Sequence, residues 1–207
     1  EEARGLGLGI FDVGLLMEEA GRTLVSGPLA EAIVAARLLA QLDPEDKTGL
    51  RDAVAGGSSV VTIAMHDVAS HAEQLVAGGA VADAVIVRDG EKVWLVRMVP
   101  SDEEQRTLAS TPIGRLRLDQ GNRTLLGENP AALAAFCAAL EEWKLLMAVA
   151  LSGLSREALR LAAEYACERV AFGQPIGAYQ GISHPLADLI VDVDGGKYFT
   201  WKAIHDI

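Results

Sequence analysis

The chain has 207 residues, 50% hydrophobic and 23% charged, which is enough apolar material for a packed core in one or two domains. Its 29 acidic and 18 basic side chains give a formal charge of −11, which excludes a duplex-binding protein, because such a protein needs a basic face. An anionic ligand must then be met locally, by individual arginines and lysines or by helix N-termini. No apolar run approaches the length of a membrane span, and no signal peptide is visible at Glu1. Cys137 and Cys167 set neither a disulfide framework nor metal-ligand spacing. The expectation is a cytoplasmic protein with both thiols buried as small apolar residues, without metal, nucleic acid or membrane among its partners.

Residues 6–42 read as helical, with Ile10, Val13, Leu16 and Met17 at helical spacing and Gly21 as a stop. After Pro28, the Ala-rich run from Leu29 to Leu42 predicts a buried helix, ended by the polar turn Asp43–Asp46. Gly5, Gly7 and Gly9 lack the G-x-G-x-x-G spacing and no strand precedes them, so they read as a loop or helix lead-in. The pattern then changes to short β-branched runs. Val60–Ala64 follows Gly56-Gly57, and Val81–Val87, Val93–Met98 and Leu116–Leu118 follow, with Asp89-Gly90 as a hairpin signal. From Pro130, suited to a first helical turn, a long helix runs over Ala131–Cys167 with an interruption at Ser152-Gly153. Within it Leu154, Ala158, Leu161 and Tyr165 share one face, and Arg156, Arg160, Glu164 and Glu168 lie away from it. A second helix from Tyr179 carries Ile182, Leu186, Leu189 and Val193 on one face and is still running near Ile207. Two long helices joined by a short loop predict an antiparallel hairpin, half of a four-helix bundle. The fold class is α+β, mainly α: a helical region over 1–55, a small β-domain over 56–126 and a helical bundle over 127–207.

The most informative stretch is Glu164 to Asp188, EYACERVAFGQPIGAYQGISHPLAD. It reads as a helix ending in Arg169, a tight Phe172-Gly173-Gln174-Pro175 corner, and a second helix opening near Gln180. It resembles the pattern Y-A-x-x-R-x-x-F-G-x-P-I-x-x-x-Q-x-x-x-H-x-x-A-D of the acyl-CoA dehydrogenases, flavoenzymes that desaturate acyl-CoA thioesters. Gly14-Leu-Leu-Met-Glu-Glu-Ala-Gly-Arg22 followed by Pro28 resembles the N-terminal helices of the same family. The resemblance implies an acyl-CoA dehydrogenase-like fold with a shortened middle β-domain and a truncated C-terminal bundle. It implies FAD as cofactor, bound mostly by a partner subunit. Arg169 would reach across the interface to the FAD pyrophosphate, a bidentate task for a guanidinium. Phe172 would pack by the cofactor, Ile176 would line it and Gln180 would contact its adenosine end. Gly173 and Pro175 would shape the loop for close approach. His184 reads as a surface or capping residue, and Asp188 as a residue favoured near a helix N-terminus.

The departures from the pattern are equally specific. Where the family carries T-E-P-x-x-G-S-D, this chain has Ala64-Met-His-Asp-Val-Ala-Ser-His71, with His66 at the Thr and Asp67 at the Glu. The family strand W-I-T-N-G maps to Leu75–Gly79, without the aromatic, and the hairpin of two dozen or so residues between the two landmarks is missing. The catalytic base is absent too. In members that place it on the first long helix, the position maps to Trp143, with Lys144 where an Arg is usual. Glu142 is one residue off, about 100° around the helix, and Glu141-Glu142 reads as a solvated charge pair. The resemblance therefore implies a degenerate subunit of a heteromeric bacterial acyl-CoA dehydrogenase, of the kind found in steroid side-chain catabolism. Such a subunit completes a partner's FAD site without supplying the base. The alternatives are a homo-oligomeric dehydrogenase that these residues represent only in part, and a flavin-free scaffold subunit of the same fold.

Overall fold

The structure, a computed structural model, describes residues 9–98 and 111–207. Its elements in chain order begin with helices α1 (Ile10–Arg22), α2 (Leu29–Leu42) and α3 (Arg51–Ala55). Strands β1 (Val61–Ile63), β2 (Glu73–Val76), β3 (Ala84–Asp89), β4 (Lys92–Arg97), β5 (Gly114–Arg117) and β6 (Arg123–Gly127) follow. Helix α4 (Pro130–Glu168) leads to β7 (Val170–Ala171), β8 (Gln174–Pro175), a 3-10 turn (Ile176–Ala178) and α5 (Gln180–His205). They form two compact units, one over Ser26–Lys144 and one over Leu8–Val25 with Leu145–Ile207.

The first unit holds two sheets. A four-stranded sheet runs β1-β3-β4-β6, with β1 and β3 parallel and the other pairs antiparallel. A two-stranded sheet pairs β2 with β5. Val85, Val87 and Val96 of the larger sheet bury together with Val76 and Leu116 of the smaller and with Leu118 just after β5, so alternate residues of β3 point into one apolar core. Ala84 and Ile86 are buried as well, a continuous apolar strand of the kind expected when both faces are covered. Helix α2 lies along β1 and buries Ala30, Val34, Ala35, Leu38 and Leu39. Its end is fixed by Asp43, whose carboxylate accepts from the backbone N–H groups of Lys47 and Thr48, both at 2.9 Å, and from the Thr48 hydroxyl at 2.7 Å. The Asp89-Gly90 signal is a two-residue β3–β4 hairpin with Gly90 at φ +63.

In the second unit, α1, α4 and α5 approach through glycines. A Cβ on Gly21 would lie 1.8 Å from the Ala150 carbonyl oxygen, and one on Gly153 would lie 2.0 Å from that of Glu18. Gly14 faces Ile204 and Trp201. Glu18 then ties the three helices, bonding the Trp201 indole at 3.0 Å and Lys197 at 3.0 Å, with Arg156 at 4.0 Å.

Several expectations change here. Gly21 does not stop α1, which runs on to Arg22, and Ser152-Gly153 does not interrupt α4, which is continuous for 39 residues. Both glycines sit in helix because the backbone of a neighbouring helix occupies the space of a side chain. The stripe Ala158, Leu161, Tyr165 is exposed rather than packed. Cys137 and Cys167 are exposed, not buried. Each follows a residue of the buried face, Phe136 and Ala166, and one step turns a helix by about 100°. Three elements had no expectation: α3, β6 and, apart from its Leu75 landmark, β2. Residues 5–8 of the glycine run lie outside the described residues, and Gly9 donates its N–H to Asp12 at 3.0 Å as α1 begins.

Candidate functional site

The Arg169–Gln180 corner is built on a miniature hairpin. Helix α4 closes as the Arg169 N–H bonds the Tyr165 carbonyl at 2.9 Å. Val170 then pairs with Pro175 and Ala171 with Gln174, leaving Phe172 and Gly173 as the turn. Both have positive φ, +53 and +86, the signature of a type I′ turn. Glycine adopts this freely; phenylalanine does not. Phe172 is 97% exposed. Pro175 directs the chain into the 3-10 turn, where a Cβ on Gly177 would lie 3.1 Å from the Ala166 carbonyl oxygen, so the returning chain seats directly on α4. The Ile176 N–H bonds the Arg169 carbonyl at 2.8 Å, which closes the base of the corner. Gln180 is the first residue of α5.

The structure thus brings Arg169, Phe172, Gly173, Ile176 and Gln180 onto one reversal of the chain. Ile176 is half-buried and the others are exposed. The Arg169 guanidinium and the Gln180 amide have no hydrogen-bond or ion-pair partner among the described residues, so their donors are unspent. His184 and Asp188 are exposed on α5. Sequence reasoning missed Tyr179, whose hydroxyl donates to the Ala171 carbonyl at 3.0 Å and lies 3.4 Å from that of Phe172. Its ring meets Phe172 edge-on, centroids 6.4 Å apart at 87°. An aromatic just before Gln180 was the only signal available.

The β-region is different in kind. Asp67 accepts from the N–H groups of Ala69 and Gly90, each at 3.0 Å, and pairs with Arg88 at 3.3 Å. Gln74 receives the His66 N–H at 3.1 Å and donates to the carbonyls of His66 and His71, each at 3.1 Å. The Thr62 hydroxyl donates to the Ala77 carbonyl at 2.7 Å. These polar groups are committed to holding the 64–79 segment, in which the chain passes from β1 through a loop straight into β2.

On α4, Trp143 donates its indole N–H at 2.9 Å to Glu31, which is only 6% exposed. Glu141 is exposed and paired with Lys144 at 2.7 Å. Glu142 is not the solvated charge expected. It is half-buried with Arg37 Nε 2.8 Å from Oε1, yet that oxygen receives no aligned hydrogen bond. Burial pushes its carboxyl above the ordinary range, and Arg37 offsets this only in part. A cleft of about 680 Å³ in the second unit is lined by Arg22, Arg156, Arg160, Glu18 and Glu157. All five are ion-paired with neighbours, so the cleft offers no uncommitted charge. Among the described residues no cluster of three metal-binding side chains occurs, and no helix is long and apolar enough to cross a membrane.

Residues 133–207 match the family model for the acyl-CoA dehydrogenase C-terminal domain. Acyl-CoA dehydrogenase IpdE2 of Mycolicibacterium smegmatis is 29% identical over 211 residues, spanning 100% of this chain and 59% of that protein. A solved variant of the Tcur3481-Tcur3483 steroid ACAD is 28% identical with a TM-score of 0.80, over 98% of this chain and 62% of that one. The ChsE4-ChsE5 complex from Mycobacterium tuberculosis, at 24% identity and TM-score 0.82 over 99% of this chain and 64% of that one, shares the fold. The fold is therefore that of an acyl-CoA dehydrogenase, α+β and mainly α. The C-terminal third of the chain matches the acyl-CoA dehydrogenase C-terminal domain, and the whole chain is similar to acyl-CoA dehydrogenases in sequence and fold; it spans 59% of the length of IpdE2.

Proposed function

We propose that this chain is a subunit of a heteromeric, FAD-dependent acyl-CoA dehydrogenase, which introduces an α,β double bond into an acyl-CoA thioester. In this reading the chain clasps FAD across the subunit interface and supplies no catalytic base. The corner carries the proposal. An exposed guanidinium and an exposed amide, both with unspent donors, accompany an almost fully exposed aromatic ring. That donor set fits a flavin dinucleotide: Arg169 for the diphosphate, Gln180 for the adenosine end, Phe172 and Ile176 against the apolar ring system. The fit ends there, because the polar groups of the 64–79 segment already bond to their own loop. Bound FAD supplies the hydride acceptor of the reaction. Arg169 neutralises diphosphate charge, Gln180 orients the adenosine end, and Phe172 with Ile176 excludes water. Neither Glu142, held by Arg37, nor Trp143, held by Glu31, stands as a proton acceptor. The alignment with IpdE2 covers 211 positions for 207 residues, so against that relative no gap of hairpin size opens. Neighbours solved as two-component assemblies, one of them named a steroid ACAD, support a partner subunit and a bulky acyl group.

The test is purification of the native assembly through this chain, with intact mass and flavin absorbance near 450 nm. Changing Arg169 and Gln180 together to Ala should leave the assembly intact and weaken FAD at least about tenfold, since hydrogen bonds to charged groups contribute about 1.5–3 kcal/mol. Unchanged FAD content and activity would refute the reading. The 59% coverage of IpdE2 favours a second reading, a longer homo-oligomeric dehydrogenase. It predicts an intact chain well above 21.9 kDa with one FAD per identical subunit. A flavin-free scaffold would show no absorbance with or without its partner.

A further inference from the structure

We infer that Tyr179 is the positioning residue of the corner: its hydroxyl and ring latch the Phe172-Gly173 turn in its left-handed geometry and so present Arg169 and Phe172. The inference rests on the functional reading above for the identity of the ligand. Phe172 at φ +53 occupies backbone space that L-residues with side chains avoid. Strands β7 and β8 have two residues each, too short a ladder to impose that geometry alone. Gly173 has open space around it, so packing does not hold the tip from that side. Among the described residues the contacts to the tip come from Tyr179. Its hydroxyl bonds the Ala171 carbonyl at 3.0 Å and approaches that of Phe172 at 3.4 Å, and its ring meets Phe172 at 87°.

The latch is itself anchored. The Tyr179 N–H bonds the Ile176 carbonyl at 3.1 Å. Its own carbonyl accepts from the N–H groups of Ile182 and Ser183 at 2.9 and 3.0 Å and from the Ser183 hydroxyl at 3.2 Å. Its backbone is therefore part of the first turn of α5, and its side chain reaches back to a strained tip. A fixed base and a strained tip joined by one hydroxyl and one ring edge form a device that sets direction without touching the ligand.

The experiment compares Tyr179→Phe and Tyr179→Ala with wild type in the native assembly, reading amide hydrogen exchange over 170–176 and FAD affinity. Tyr179→Phe removes one oxygen and cannot unfold the unit. It should speed exchange at the Ile176 amide roughly 2- to 10-fold, the span of one hydrogen bond, and weaken FAD by a similar factor. Tyr179→Ala, which also loses the ring contact, should reach roughly 10- to 100-fold. The melting midpoint should barely move. Exchange in Tyr179→Phe equal to wild type overturns the latch, as does faster exchange with FAD affinity unchanged or exchange raised evenly throughout α4 and α5. A wild-type assembly that takes up no FAD refutes the functional reading instead, and the exchange comparison still decides whether Tyr179 holds the turn.

Discussion

Replacing Gly153 by alanine tests how α1 is seated on α4. The added methyl would lie 2.0 Å from the Glu18 carbonyl oxygen, 2.9 Å from its carbon and 3.2 Å from the Arg22 nitrogen. All three are backbone atoms, so no flexible side chain can swing away, and the helices must part by about 1 Å. A gap of that size forfeits about a quarter to a half of each dispersion contact along the seam, in which Gly21 also lies against the Ala150 backbone. Overpacking typically costs about 1–3 kcal/mol and occasionally more; alanine returns about 1 kcal/mol of helix propensity. With two rigid backbones in collision the upper end applies, and a net loss of about 2 kcal/mol follows. That corresponds to a fall of about 4–8 °C in melting temperature for a chain of this size. Gly195, inside α5 with nothing within 4 Å of its would-be Cβ, is the control: the same substitution there should stabilise by about 0.5–1 kcal/mol. Circular dichroism melts of the three proteins suffice. A Gly153→Ala protein that melts at or above wild type would refute the backbone-contact reasoning.

Two further predictions concern buried carboxylates. Asp43 is 4% exposed. Burial alone would raise its carboxyl, but the hydrogen bonds from Thr48 and Lys47 outweigh it and leave the group below its ordinary 3.8. A depressed folded value means stabilisation that is present above pH 3.8 and lost as pH falls through that lower value. Asp43→Asn should therefore cost about 1–2 kcal/mol at neutral pH, with the deficit shrinking in acid; denaturant melts that show a deficit independent of pH would contradict this. Glu142 has the opposite sign. Its carboxyl is raised above 4.5, so it favours the fold in acid and loses that contribution as pH rises through the folded value. Relative to Glu142→Gln, wild type should lose stability as pH rises above 4.5, and a wild-type advantage that grows with pH would be incompatible with the half-buried, imperfectly bonded oxygen.

What the sequence disclosed followed from how local each signal was. The corner was legible because Phe-Gly, Pro and the flanking helix periodicity all act within a dozen residues. Helices α1, α2 and α5 and strands β1, β3, β4 and β5 were legible because their apolar periods are strong or their turn residues flank them. Strand β2 was recognised only as the Leu75 landmark, because its inward residues include Gln74, a polar side chain buried by bonding its own loop. Strand β6 has Leu125 exposed and borrows its order from β4. Ser152-Gly153 misled because a glycine needed by a neighbouring helix looks, in one dimension, like a break. Glu142 misled for a similar reason: nothing in its own neighbourhood announces Arg37 on α2. Tyr179 could not be assigned because its partner is a backbone carbonyl eight residues back.

The turn at Phe172-Gly173 also bears on any attempt to engineer this chain. Asn or Gly at position 172 would adopt the positive φ with less strain, and on backbone grounds alone would favour the hairpin by about 1 kcal/mol. A library sorted for heat resistance alone would therefore drift toward Asn-Gly at the tip and discard the exposed ring. If the corner holds FAD as proposed, sorting the same library for flavin retention would hold the phenylalanine against that drift. The two selections would diverge at one codon, and the size of the divergence would measure how much the ring contributes outside its own chain.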